Sequence, residues 1–143
     1  MEFRSFVEAQ EAMKDVKKTL IKLPKSHAAL VKGYKYVFKG DNTLDGDHIG
    51  ELDTGKKKIT VAAPWNYGRQ YAILHEIGHA VWEHLVDDDK KKEWQRIVKS
   101  TKNKQNQNAE ELFCMAYADF YAKNKVVIHN HPEWEKFVRN LPK

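Results

Sequence analysis

Two histidines four residues apart, with a glutamate directly after the first, form the segment His75-Glu76-Ile77-Gly78-His79, an H-E-x-x-H pattern. On a helix, positions four apart share a face. Both imidazoles therefore reach toward one ion, and Glu76, about 100° round from His75, borders the same point. Imidazole nitrogens suit Zn²⁺, which holds them at about 2.0 to 2.1 Å. The chemistry such a group performs is hydrolysis. The cation makes water acidic enough to ionise near neutral pH and polarises a carbonyl, while the carboxylate takes a proton and hands it to the departing amine. A catalytic zinc needs a third protein ligand and keeps its fourth position for water.

That third ligand must come from residues able to converge on the first helix. A metzincin has a glycine three residues past the second histidine and a third histidine six past it; here those positions hold Trp82 and Leu85, which excludes that arrangement. Glu83 and His84 lie farther along the same helix and cannot curl back. The candidates are then Glu110, Glu111 and Asp119 on a later helix, or His129 and His131 beyond it. Glu111 stands four residues before Met115 and shares its inward face, so it is the preferred ligand. Glu110 reads as a solvated charge favoured by the dipole at a helix start, and Asp119 as a supporting or helix-packing carboxylate. Tyr67, Tyr71, Tyr117, Tyr121 and His84 could each donate to a developing oxyanion, and the sequence singles out none of them.

The elements that must position these groups follow from periodicity. Arg69 to about Leu85 carries Ile73, Leu74, Ile77, Val81 and Leu85 at helical spacing, the pattern of a core helix. Upstream, Phe3, Phe6, Val7, Met13, Val16, Leu20 and Leu23 predict an amphipathic helix ending at Pro24. Ser26 is expected to cap a short helix through Val31, closed by Gly33 in the left-handed conformation. Tyr34, Tyr36 and Phe38 alternate with Lys35, Val37 and Lys39 as in a strand. Residues 48–53 and 57–62 flank Thr54-Gly55 as a hairpin would, with Ile59 and Val61 on one face. The second of these strands closely precedes the motif helix, so a sheet edge there could pair with an extended peptide. Downstream, Asp87-Asp88-Asp89 starts a helix with a stripe of Trp94, Ile97 and Val98. Residues 100–108 read as a loop, 109–123 as a helix burying Leu112, Phe113, Met115, Ala116 and Phe120, and 132–140 as a last helix with Pro132 at its first turn.

Composition narrows the classes. With 143 residues, 31% charged and 41% hydrophobic, the chain suits one soluble α+β domain over residues 1–143, a small mostly antiparallel sheet packed on the motif helix with further helices on either side in sequence. No stretch approaches the roughly 20 apolar residues of a bilayer span, and the opening residues run into charges rather than an apolar leader. A cytoplasmic protein is the expectation, consistent with a lone cysteine, Cys114, that has no internal disulfide partner. The net charge of +5 is almost all lysine, with arginine only at positions 4, 69, 96 and 139. Runs such as Lys56-Lys57-Lys58 and Lys90-Lys91-Lys92 read as solvated faces, and aromatics at core spacing argue against nucleic acid as a partner. Trp65 and Trp82 flank the motif and fit either a cleft or the core.

A helical H-E-x-x-H followed by a glutamate on a second helix resembles the gluzincin zinc peptidases. Glu111-Leu112-Phe113-Cys114-Met115-Ala116 and the segment from Tyr71 to Val81 resemble the ligand and active-site helices of the anthrax lethal factor and Pro-Pro endopeptidase-like families. The ImmA/IrrE-like peptidases are similar as well, and that likeness would fit a phage or mobile-element origin. The resemblance covers roughly residues 48 to 121 and implies a zincin-like domain. It implies one Zn²⁺ per chain on His75, His79 and Glu111, Glu76 as general base, and a peptide or protein substrate. The chain departs from the lethal-factor pattern at Met115, where that pattern is acidic, and at Lys104, where it has tyrosine. Its transition-state donor is therefore not carried over. Two other readings accompany the endopeptidase: a zinc-stabilised regulatory or nucleic-acid-binding module without activity, and a zinc hydrolase acting on an amide other than a peptide bond.

Overall fold

Val16, Thr19 and Leu23, at helical spacing, turn inward, and the first helix, α1 (Phe6–Ile21), is buried along that line while Met13 and Ile21 face outward. These elements belong to a computed structural model that describes residues 6–38, 50–61, 69–100, 108–122 and 131–143. Pro24 then starts α2 (Lys25–Ala29): its carbonyl accepts from the amides of His27 and Ala28, and no side chain caps the helix. The expected cap, Ser26, is inside the helix instead. Pro24, held at φ −56° and ψ 147°, sets the helix start ahead of it, and the Ser26 hydroxyl is buried without a partner among the described residues. Gly33 adopts the expected left-handed conformation at φ 81°.

Three short strands follow, β1 (Lys35–Phe38), β2 (Gly50–Asp53) and β3 (Lys58–Val61), in the spatial order β1-β3-β2. β2 and β3 form the expected antiparallel hairpin, Gly50 opposite Val61 and Asp53 opposite Lys58. β1 runs parallel to β3, with Lys35 opposite Lys58, so the sheet is mixed rather than mostly antiparallel. The cause is a crossover that returns the chain to the far side of β3. It also corrects the expected peptide-binding edge: residues 58–61 form the central strand, its hydrogen-bonding groups engaged on both sides, and β2 and β1 are the edges. At the hairpin turn the left-handed residue is Lys57 (φ 51°) and not Gly55. The Asp53 carboxylate supports the turn by accepting from the Lys56 amide at 2.9 Å.

Four further helices follow among the described residues: α3 (Arg69–His84), α4 (Asp88–Ser100), α5 (Ala109–Ala122) and α6 (Pro132–Arg139). Ala72, Ile73, Leu74, Ile77 and Val81 leave α3 buried against β2 and β3 on one side and α5 on another, with α1 also packed on it. α5 in turn carries α4 and α6 on its far side. Trp94 of α4 is the hub of that outer contact. Its ring lies 5.8 Å from Phe113, 5.3 Å from Trp134 and 5.1 Å from Phe137, and its indole N–H donates to the Ala109 carbonyl at 2.7 Å, which ties the start of α5 in place. Trp82 packs 5.2 Å from Phe113 as part of this core, so it closes the core rather than lining a cleft. No helix among the described residues is long and apolar enough to cross a membrane.

Candidate metal centre

α3 and α5 come into close contact where α3 has no side chain. A Cβ on Gly78 would lie 3.1 Å from Cys114 Cα and 3.3 Å from its Sγ, so a glycine between the two histidines lets α5 come in against them. The start of α5 is fixed by Asn108, whose side-chain oxygen accepts from the Glu111 amide at 2.7 Å in the manner of an N-cap. Glu110 and Glu111 therefore fall in the first turn, where the helix dipole favours negative charge, and face the histidines of α3.

The two imidazoles lie edge to face, their centroids 5.4 Å apart. His75 Nε2 is 3.1 Å from Glu111 Oε2, and His79 Nε2 is 3.0 Å from Glu111 Oε1, so one carboxylate spans both rings. Donors bound tetrahedrally to zinc at about 2.05 Å are separated by about 3.3 Å. Each imidazole nitrogen thus stands within a few tenths of an ångström of the spacing zinc would demand from an oxygen of Glu111, and the types of donor fit that metal. Without an ion these groups pair as acid and base. Hydrogen bonds from His75 and His79 hold the Glu111 carboxyl well below the usual carboxylate range. Burial acts to lower the His79 pKa, but the hydrogen bonds to Glu111 and Glu110 and the charge on Glu76 outweigh it and raise it to about 9.

Glu110 departs from expectation. Its carboxylate accepts from His79 Nδ1–H at 2.6 Å rather than standing free in solvent, because the close approach of the helices brings the first turn of α5 over the ring. This contact holds Nδ1 and leaves Nε2 to face Glu111, so that Nε2 is the nitrogen free to lose its proton to a metal, the carboxylate–histidine arrangement that orients metal ligands. Glu76, 3% exposed, lies on the sheet side of the same group: a Cβ on Gly50 at the start of β2 would lie 3.0 Å from its Oε2, and its charge acts on His79.

The remaining candidates are placed elsewhere or held by other partners. Asp119 is buried eight residues past Glu111, about 12 Å along the helix axis. His131 stacks on Trp134 at 4.3 Å, and His129 lies outside the described residues. Of the possible oxyanion donors, Tyr117 is engaged with His27 at 2.9 Å, Tyr121 packs on Tyr117, and His84 is exposed at the end of α3. Tyr71 has its ring 6.4 Å from that of His75 and so lies beside the motif histidines, and Tyr67 lies outside the described residues. Sequence reasoning missed one group. The Sγ of Cys114 and a ligand nitrogen of each of His75 and His79 all lie within 4.8 Å of one another. Its signal was a spacing of three from Glu111 on the same helix, opposite a glycine.

No family model, no curated protein and no solved structure matches this chain.

Proposed function

We propose that the protein is a zinc-dependent endopeptidase of the gluzincin type, with one Zn²⁺ held by His75, His79 and Glu111. The observation that carries this reading is the convergence of both motif histidines from α3 on a single carboxylate from α5, at 3.1 and 3.0 Å. When bound, zinc supplies an electrophile that polarises the scissile carbonyl and acidifies water.

The chain's own groups do the rest. Glu76 is the general base: its carboxylate, buried between α3 and β2, accepts the proton of the attacking water and delivers it to the leaving amine. Glu110 holds His79 through Nδ1 so that the other nitrogen is presented to the metal. β2 supplies a sheet edge whose first residue adjoins Glu76, so an extended peptide pairing along it would be carried past the base.

Glu76→Gln tests the assignment. The variant keeps one zinc per chain and its fold, and its hydrolysis of a mixed peptide library, followed by mass spectrometry, falls by about 10²- to 10⁴-fold. Undiminished cleavage would remove Glu76 from the role. Wild-type protein that binds one zinc and cuts no peptide would favour the metal-stabilised module without activity.

A further inference from the structure

We infer that Cys114 is a further protein donor to the metal, its thiolate occupying the coordination position that a zinc hydrolase otherwise leaves to water. This rests on the metal reading above and concerns the same ion.

Glu111 and Cys114 stand three residues apart on α5 and so are neighbours on one helix face. Glu111 spans the two imidazoles, and the Cys114 sulfur comes within 4.8 Å of a ligand nitrogen on each of them. A buried cysteine often does no more than fill space. Here, however, the space has been made by a glycine between the metal-binding histidines. A Cβ on Gly78 would come within 3.3 Å of both Cys114 Cβ and Sγ and 3.1 Å of its Cα, so any other residue would crowd the cysteine and the α5 backbone. Cys114 is fully buried and the chain has no second cysteine, so a disulfide within the chain does not account for it.

Two imidazoles, a carboxylate and a thiolate make four protein donors, the number that closes a tetrahedral zinc site. Thiolate also shifts the preference of the set away from magnesium, calcium and manganese toward zinc and softer ions. Were the metal bound, the Cys114 thiol would lose its proton to solvent as the sulfur–metal bond formed. On opening, that bond breaks and the sulfur is reprotonated, with no change in oxidation state. With the ion held by all four groups the site would be closed, and Cys114 would have to withdraw for hydrolysis.

The test is cobalt substitution in the full-length chain, because Co²⁺ bound by a thiolate shows a sulfur-to-metal charge-transfer band that nitrogen and oxygen donors do not give. Wild type should bind one Co²⁺ with that band. Cys114→Ala should bind Co²⁺ without it, and its zinc affinity, measured by chelator competition, should fall by about tenfold or more. One Co²⁺ bound to wild type without the band, or a band that survives in Cys114→Ala, overturns the role of Cys114 and leaves the metal site standing. Failure of wild type to bind Co²⁺ or Zn²⁺ overturns both. The wild-type spectrum decides the question even if the variant does not fold.

Discussion

His27 and His79 each have both ring nitrogens hydrogen-bonded, yet the two are driven to opposite charge states. His27, buried on α2, accepts from the Tyr117 hydroxyl at 2.9 Å through Nδ1 and donates from Nε2 to the Pro142 carbonyl at 2.6 Å. Burial keeps it neutral and lowers its pKa. His79 has carboxylates on both nitrogens, and its pKa rises to about 9 in spite of burial. What separates the two histidines is the charge of their partners and not the number of them. His27 joins α2, α5 and the last residues of the chain, whereas His79 joins α3 to the acidic first turn of α5.

The largest expected contrast is in metal content. Glu111→Ala should cut the zinc content well below one per chain by elemental analysis after dialysis, and His27→Ala should leave the zinc in place. Retention of zinc by the Glu111 variant would shift the third ligand elsewhere. On stability the order reverses. His27→Ala opens a cavity and strands the Tyr117 hydroxyl and Pro142 carbonyl, which should cost about 3 kcal/mol in denaturant unfolding of the metal-free protein. A value below about 1 kcal/mol would mean that the tie is not structural. Glu110→Gln comes next: loss of the charged acceptor on His79 should weaken zinc binding by about 10- to 100-fold, with one ion still bound at saturation.

The smallest effect is the pH slope of the metal-free protein, and the two histidines give it opposite signs. His27 has a folded pKa below its ordinary value of 6.5, so the unfolded chain binds more protons and stability is lost as pH falls through 6.5. His79 has a folded pKa of about 9, so its contribution is complete below 6.5 and is lost as pH rises from there toward 9. A stability maximum near pH 6.5 is expected, with His27→Ala flattening the acid side and Glu110→Gln the alkaline side. Unchanged slopes in both variants would contradict these assignments.

Much of the candidate site was legible because it depends on helical period. The spacing of four in His75 and His79 and the apolar stripe through Ile73, Ile77 and Val81 place both rings beside a core interface, and Glu111 followed from its phase with Met115. Glu110 was misplaced because adjacent positions in a first turn differ by about 100°, and which of them meets a neighbouring ring depends on how deeply two helices approach. That depth comes from Gly78, whose missing side chain matters only once Cys114 is known to lie opposite. His27 was unreadable for a different reason: its partners are 90 and 115 residues away. The parallel pairing of β1 with β3 was hidden as well, since alternation gives the faces of a strand but not its neighbour or direction.

The central claim is that α3 and α5 together grip one zinc ion. A crystal grown in excess zinc, with data collected at the zinc absorption edge, tests it most directly. One anomalous peak is expected about 2.0 to 2.2 Å from a nitrogen of His75, a nitrogen of His79 and an oxygen of Glu111. A map with no peak between those three side chains, or with zinc held only by other residues, would contradict it.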